Sequence, residues 1–272
     1  MAATDNSPLI RPVGCGVGAD ISGVDLTRPV SDKVIAKIRE AFVTYGVVFF
    51  RDQHLGDDQH RAFTERFGEV LTVQELRKEP DQTRNIGESW HVDMTFRPDP
   101  PMATMLVARE LPAYGGDTLW ANMTLAYAAL SDGLKATLRG MRAVHANVRN
   151  LGLSYDQTAP PEPGPDAYDA AEGSLHPVVA EHPESGRPVL YVNSEYTARF
   201  EGWTRRESLG LLSYLFGHGQ RPEFGVRLRW RPGTIAFWDN RQVWHLAVND
   251  YQGMRRVMSR SMIKGFPPIP AG

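Results

Sequence analysis

The sequence is almost without cysteine, because Cys15 is the only one among 272 residues. A single cysteine excludes an intrachain disulfide and a zinc cluster built from cysteine pairs, and it fits a reducing compartment. The chain also lacks any run of about eighteen apolar residues, and its opening segment, MAATDNSPLI, has neither the basic nor the apolar region of a secretory signal. These absences predict a soluble cytoplasmic protein with no membrane partner.

An excess of positive charge is missing as well. The 30 lysines and arginines are opposed by 32 aspartates and glutamates, and the formal net charge is -2. Proteins that bind nucleic acid usually carry a clearly basic surface. The 42% hydrophobic and 10% aromatic residues are typical of a folded globular chain. We therefore expect a globular protein without a nucleic-acid partner.

Helical periodicity is confined to a few segments. After Ser31, the segment DKVIAKIREAFVTYG repeats apolar residues at helical spacing and ends at Gly46, which predicts a helix. A second helix is predicted for DDQHRAFTERFG, which ends at Gly68. Two further helices are predicted for LAYAALSDGLKATLRG and TRRESLGLLSYLFGHG.

Strand patterns dominate the remainder. VVFF, ATMLVARE, TLWANM and MRRVMSRSMIKG predict strands, and HPVVAEHPESGRPVLYVN and GVRLRWRPGTIAFWDN each predict a hairpin. Mobile loops are predicted near 71–89 and 147–173. Many strands with a few surface helices indicate one domain over residues 1–272, mainly β, with a jelly-roll (double-stranded β-helix) core.

The segment WHVDMTF carries the strongest chemical signal. In a strand, His91 and Asp93 would share one face, and His245 in WDNRQVWHLAVNDY is the best third ligand. Two histidines and one carboxylate are the facial triad of non-haem Fe(II) oxygenases. The same three ligands would equally serve a zinc hydrolase or a binding module without catalysis. The other histidines have no such partner, and we expect them to be structural or solvated.

Two arginines share strand parity downstream of this motif. Arg256 and Arg260 would project to one face, about 13 Å apart at about 3.3 Å per residue. If that face is the interior, each guanidinium needs an anion, such as a dicarboxylate co-substrate or an anionic substrate. If that face is exposed to solvent, the arginines only keep an edge soluble, and parity leaves both possibilities open.

Motifs along almost the whole chain resemble those of one enzyme family. They are ISGVDLTRPVSD, VVFFRDQ, RFGE, WHVDMTF, GGDTLW, HPVV, LYVN and WDNRQVWHLAVNDYQGMRRVMSR, and they follow the family order. The sequence resembles the taurine dioxygenase and 2,4-dichlorophenoxyacetate dioxygenase family of Fe(II)- and 2-oxoglutarate-dependent oxygenases.

The resemblance implies a role for each candidate residue. The iron ligands would be His91, Asp93 and His245. Thr118 and Arg256 would hold the distal carboxylate of 2-oxoglutarate, and Arg260 would meet the anionic head of the substrate. With O2, such an enzyme hydroxylates a small organic anion, such as an aryloxyalkanoate, a sulfonate or a sulfate ester, and releases succinate and CO2. The family also implies a homo-oligomer.

The substrate pocket departs from the taurine enzyme. That enzyme uses a histidine and a tyrosine after its FGE motif and an asparagine four residues before the first metal histidine. Here FGEVLTVQEL has neither ring, and the fourth position before His91 is Gly87. A substrate other than taurine is therefore expected. Enclosure of the pocket is expected from Trp90, Phe96 and Trp238.

Overall fold

The computed structural model describes residues 7–147 and 169–272. Its helices are α1 (Asp32–Tyr45), α2 (Asp57–Glu65), α3 (Met123–Ala128), α4 (Asp132–Leu138) and α5 (Arg205–Gly219). Its strands are β1 (Leu9–Pro12), β2 (Ala19–Ser22), β3 (Val47–Phe50), β4 (Val70–Lys78), β5 (Ala103–Glu110), β6 (Thr118–Asn122), β7 (Arg142–His145), β8 (Ser174–Pro177), β9 (Val179–Glu181), β10 (Pro188–Leu190), β11 (Thr197–Phe200), β12 (Gly225–Leu228), β13 (Ile235–Asp239), β14 (Val243–Ala247), β15 (Arg256–Ile263) and β16 (Ile269–Pro270).

Two sheets enclose the centre of the molecule. The large sheet has seven strands in the order β1-β2-β3-β13-β5-β15-β4, and the small sheet has the order β12-β6-β14. Side chains from both sheets meet in an inner core that contains Phe49 and Trp238 from the large sheet and Trp120 and Val243 from the small one. The mainly antiparallel strands and the buried interior between two sheets are those of the predicted jelly roll.

Helices α1 and α2 cover the other face of the large sheet. Helix α1 begins after Ser31 and ends at Gly46, which is left-handed (φ 73°) and donates its backbone N–H to Phe42 O at 2.9 Å. Its apolar stripe buries Ile38 and Phe42, and Phe42 stacks on Phe237 of β13 with ring centroids 4.5 Å apart. Burial of each such side chain contributes about 1.5–3 kcal/mol. Packing of the apolar stripe on the large sheet is therefore the main stabilisation of this predicted helix.

The remaining elements form two three-stranded sheets, β10-β9-β16 and β11-β7-β8. Together with α3 and α5 they bury a further apolar core that includes Leu190, Phe200, Leu212 and Trp244. Helix α5 begins at a capping box, in which Thr204 and Glu207 bond each other's backbone N–H. Within the described ranges, no helix has the length and apolar character needed to cross a bilayer.

The loop predicted near 71–89 is wrong in its first half. Residues Val70–Lys78 form β4, which pairs antiparallel with β15 along its length. Strand β4 is the edge of the large sheet, and most of its side chains are partly or fully exposed. The strand therefore carries polar residues without a clear alternation. Most of the second predicted loop, residues 148–168, lies outside the described residues.

Three further predictions need correction. The predicted third helix is divided into α3 and α4, because the Ser131 side chain accepts the Leu134 N–H and starts a new helix. Strands β12 and β13 do not form a hairpin, since each pairs within a different sheet. The segment WHVDMTF is not a strand: His91 forms a single bridge with His245, and the chain then turns.

Candidate active site

The three sequence-predicted metal ligands converge in space. One potential ligand atom from each of His91, Asp93 and His245 lies within 4.8 Å of the other two. The Nε2 atoms of both histidines are 3.8 Å from Asp93 Oδ1. All three side chains are buried. This arrangement offers a divalent cation two imidazole nitrogens and one carboxylate oxygen on one side.

A backbone bridge and a turn bring these residues together. His91 N–H donates to His245 O at 3.0 Å, and His245 N–H donates to His91 O at 2.8 Å, so the two imidazoles lie side by side. Asp93 returns to them through a turn in which Met94 has the unusual φ of 53°. The prediction that His91 and Asp93 lie close together is correct, but the turn brings them together and strand alternation does not.

The turn is fixed by a buried polar cluster around Thr95. The hydroxyl of Thr95 lies 3.0 Å from His145 Nδ1 and accepts from Asn193 Nδ2 at 3.1 Å. His176 Nε2 donates to Thr95 O at 2.8 Å. Burial lowers the pKa of both His145 and His176. These neutral histidines, with Asn193 of the LYVN motif, hold the backbone that carries Asp93.

The protonation states of the ligands suit a metal. His91 Nδ1 donates to Ser89 O at 2.8 Å, which leaves Nε2 with a free lone pair toward Asp93. Burial lowers the pKa of His245, which is therefore neutral. Burial alone would raise the pKa of Asp93, but the positive charge of Arg260 and the hydrogen bond from Thr104 oppose it and keep that pKa below its usual range. One imidazole nitrogen from each histidine and an ionised carboxylate fit Fe(II).

A second cluster lies around Arg256. This side chain is only 6% exposed, and its Nε and Nη2 atoms have no hydrogen-bond partner in the described part of the chain. The Trp230 ring centroid is 5.8 Å from its Cζ atom, and Trp230 Nε1 donates to Thr118 Oγ1 at 2.9 Å. Burial lowers the pKa of Arg256. A buried guanidinium with free donors is a site for an anion.

Arg260 lies beside Asp93. Its Nη1 atom is 3.9 Å from Asp93 Oδ1, and its Nε atom has no partner among residues 7–147 and 169–272. Met258, between the two arginines, belongs to the inner core with Leu106. Because Arg256 and Arg260 share this face of β15, the alternative that the face is exposed to solvent is wrong.

Aromatic rings flank the three ligands. Trp238 lies 4.7 Å from the His245 ring, and Tyr196 lies 6.3 Å from the His91 ring and 5.2 Å from Phe96, measured between centroids. Trp238 thus lies beside a candidate ligand, as the sequence predicts, while Phe96 contacts Tyr196 and Trp90 packs against the core shared by α3 and α5. Sequence reasoning missed Tyr196 as a wall and Trp230 as the neighbour of Arg256. The family-like segment LYVNSEY held the only signal for Tyr196.

Gly87 limits the space beside His91. Its φ is 79°, a conformation that favours glycine. A Cβ atom at this position would lie 2.9 Å from His91 Cε1. The backbone approaches closely here because Ala247 N–H donates to Gly87 O at 2.8 Å. Glycine therefore allows this segment to pass close to the His91 ring.

Comparison with known proteins identifies the family. The model of the taurine catabolism dioxygenase TauD, TfdA family matches residues 9–262. An alpha-ketoglutarate-dependent sulfate ester dioxygenase from Pseudomonas putida is 33% identical, over 96% of this chain and 90% of its own length. An (S)-phenoxypropionate/alpha-ketoglutarate-dioxygenase from Sphingobium herbicidovorans is 30% identical, over 95% of each chain.

A solved structure gives the same result. A taurine dioxygenase from Burkholderia xenovorans superposes with a TM-score of 0.83 and 36% identity, and the match covers 97% of this chain and 93% of that one. Such a match supports the jelly-roll fold as well as the sequence relationship. The chain belongs to the taurine catabolism dioxygenase TauD, TfdA family and is an Fe(II)- and 2-oxoglutarate-dependent dioxygenase.

Proposed function

We propose that His91, Asp93 and His245 hold the ferrous ion of this dioxygenase. The single observation that carries the proposal is the convergence of these buried ligand atoms within 4.8 Å of one another. The bound ion would supply the activation of O2 that couples conversion of 2-oxoglutarate into succinate and CO2 with hydroxylation of a substrate carbon. The protein's own contribution is to orient the reactants and to exclude water.

Arg256 and Thr118 are the proposed partners of 2-oxoglutarate. The free Nε and Nη2 donors of Arg256 suit a bidentate bond to the distal carboxylate. Trp230 Nε1 donates to the Thr118 hydroxyl, whose own proton can then be directed to the same carboxylate. The comparisons give no support to the zinc hydrolase considered for the same ligands, and that enzyme would leave Arg256 without an anion.

The proposed substrate is a small organic anion bound by Arg260. The relatives are named for a sulfate ester and a phenoxypropionate, and both molecules have a carbon that carries oxygen close to an anionic group. Hydroxylation of that carbon in a primary sulfate ester gives a hemiacetal sulfate. Its hydroxyl proton moves to the leaving group as the C–O bond breaks, and an aldehyde and hydrogen sulfate result.

The order of preference within this class is sulfate ester before aryloxyalkanoate, because the relative named for a sulfate ester is the more similar of the two. The taurine-type pocket residues are missing from FGEVLTVQEL and from Gly87, which argues against taurine itself. A cytoplasmic location and a homo-oligomer stay predictions of the sequence.

A substrate panel tests this proposal. Alkyl sulfates, alkanesulfonates and aryloxypropionates would be supplied with Fe(II), ascorbate and 2-oxoglutarate, and succinate, sulfate and aldehyde would be measured. We expect the best rate with an alkyl sulfate, with sulfate and succinate released in equal amounts. Succinate formation that no member of the panel increases would contradict the proposed substrate class.

Arg260 gives the matched variant. Arg260→Ala should raise the KM of the preferred anion by about 30-fold or more, since loss of one partner of a buried charged pair costs about 2–5 kcal/mol. Arg260→Lys keeps the charge and should lose less. Equal kcat/KM for the wild type and Arg260→Ala would remove Arg260 from substrate binding.

A further inference from the structure

Three hydrogen bonds form a continuous chain that ends at the proposed metal carboxylate. Trp238 Nε1 donates to Asn240 Oδ1 at 2.9 Å, and Asn240 Nδ2 donates to Thr104 Oγ1 at 3.0 Å. The Thr104 hydroxyl then donates to Asp93 Oδ2 at 2.6 Å. Every member of this chain is buried, and Thr104 is 0% exposed.

The direction of these bonds follows from the chemistry of the two ends. An indole N–H can only donate, and an ionised carboxylate can only accept. Asn240 must therefore turn its oxygen toward Trp238 and its nitrogen toward Thr104. Since Thr104 accepts from that nitrogen, its single hydroxyl proton is committed to Asp93. A flipped amide would oppose two donors at one end of the chain and leave Thr104 without its donor.

The fold also fixes the positions of the members. Thr104 of β5 and Trp238 of β13 are directly opposite each other in the large sheet. Asn240 follows β13 and donates its backbone N–H to Met102 O at 3.0 Å. The adjacent Asp239 accepts two bonds of 2.7 Å from Arg241. The Asn240 side chain is thus held by backbone, by sheet register and by a buried ion pair.

We infer that Thr104 and Asn240 are positioning residues that reserve one oxygen of Asp93 for the metal. The bond from Thr104 occupies Oδ2, while Oδ1 is the atom that lies 3.8 Å from both histidine Nε2 atoms. This inference rests on the proposed role of Asp93 as a metal ligand. It gives a function to the Asn240 side chain, to which the proposed activity itself assigns no role.

Metal affinity, rather than activity, is the appropriate measurement. Binding of Mn(II) would be titrated by electron paramagnetic resonance in the absence of substrate for the wild type, Thr104→Val and Thr104→Ser. Valine has nearly the shape of threonine but no hydroxyl, so we expect Mn(II) to bind about 10–100-fold more weakly, the usual effect of losing such an outer partner. Serine keeps the hydroxyl and should restore affinity to within about threefold.

Thr64 offers a matched control on the opposite face of the large sheet. It is also 0% exposed, and its hydroxyl donates to His60 O at 2.8 Å and contacts Ser261 Oγ at 2.9 Å. Thr64→Val therefore also removes a buried hydroxyl. We expect Thr64→Val to lower the melting temperature without changing Mn(II) affinity. If the role of Thr104 were purely structural, Thr104→Val would give the same result.

Asn240 provides a second and independent test. Asn240→Leu should weaken Mn(II) binding by about 10-fold in the wild type, and by almost nothing in the Thr104→Val background, because Asn240 acts through that hydroxyl. If Thr104→Val does not fold, the result for Asn240→Leu decides instead.

The outcomes separate the two proposals. A wild type that does not bind Mn(II), or a His245→Ala variant that binds it equally well, would contradict the metal site itself. A wild type that binds through His245 while Thr104→Val and Asn240→Leu bind with unchanged affinity would overturn the positioning role alone.

Discussion

Strand β15 carries polar side chains on both faces, but only one face satisfies them. Toward the helices, Ser259 and Ser261 lie 3.2 and 2.8 Å from the two ring nitrogens of His60. Toward the inner core, Arg256 and Arg260 keep guanidinium nitrogens without partners in the described ranges. Buried polar groups are normally satisfied, so the comparison separates a face that stabilises the fold from a face that is ready to receive anions.

The largest expected effect comes from removing the charge of Arg256. Arg256→Met should weaken 2-oxoglutarate binding by about 100-fold or more, because the distal carboxylate loses a buried charged partner. The same variant should unfold at a higher temperature than the wild type when 2-oxoglutarate is absent, since an apolar chain replaces a buried guanidinium with free donors. Anaerobic titration and thermal melts measure the two effects.

The opposite signs make this prediction specific. Arg256→Lys keeps a charge but not the planar pair of donors, so it should bind 2-oxoglutarate with intermediate affinity. An Arg256→Met protein that melts earlier than the wild type and still binds 2-oxoglutarate normally would place this arginine with the stabilising residues, and the contrast between the two faces would be lost.

The next effect concerns His60 on the helix-covered face. Burial, assisted by the charge of Arg109 and opposed by Asp57, lowers the pKa of His60 from 6.5 to about 4. The unfolded chain therefore binds a proton between these pH values while the folded protein does not. Above pH 6.5 neither state binds this proton, and the unfolding free energy is unaffected by it. As the pH falls from 6.5 toward 4, the unfolded chain takes up the proton and the unfolding free energy decreases by about 3 kcal/mol in total.

A variant isolates this contribution from that of the other buried histidines. His60→Gln should reduce the pH dependence of the unfolding free energy by about one proton between pH 4 and 6.5. Denaturant unfolding at several pH values measures it. An unchanged slope would mean that His60 is protonated equally in the folded and unfolded chains.

The smallest effect is expected at Ser261. Ser261→Ala removes a hydroxyl that contacts both His60 and Thr64, and it should cost about 1–3 kcal/mol of unfolding free energy. The affinity for 2-oxoglutarate should stay unchanged, in contrast to Arg256→Met. A Ser261→Ala variant that loses that affinity would connect the two faces of β15, which the comparison treats as independent.

The sequence predicted those elements whose residues follow a clear periodic pattern. Helix α1 between Ser31 and Gly46 could be predicted because its apolar stripe and its glycine stop agree, although the Ser31 side chain makes no capping hydrogen bond. Strand β4 was not, because an edge strand with mostly exposed side chains shows no alternation. The division between α3 and α4 depended on a single capping serine inside a continuous helical pattern.

The sequence indicated which three candidate ligands come together, but not how the fold brings them together. Two histidines and a carboxylate in family-like motifs were the signal. The turn at Met94 had no signal, because a positive φ at a residue other than glycine arises from tertiary contacts around Thr95. Trp230 could not be connected with Arg256 either, since Trp230 lies between β12 and β13 and meets Arg256 of β15 only in the folded chain.

The glycine at position 87 restricts how this pocket can change. Any larger residue would push its first carbon against His91 and would also have to adopt a left-handed backbone. Evolution or engineering toward a new substrate cannot begin by adding a side chain there, because the first step would disturb the imidazole before any new contact formed. Diversification must instead proceed through residues such as Phe96 and Tyr196, where a change of shape leaves the three candidate ligands in place.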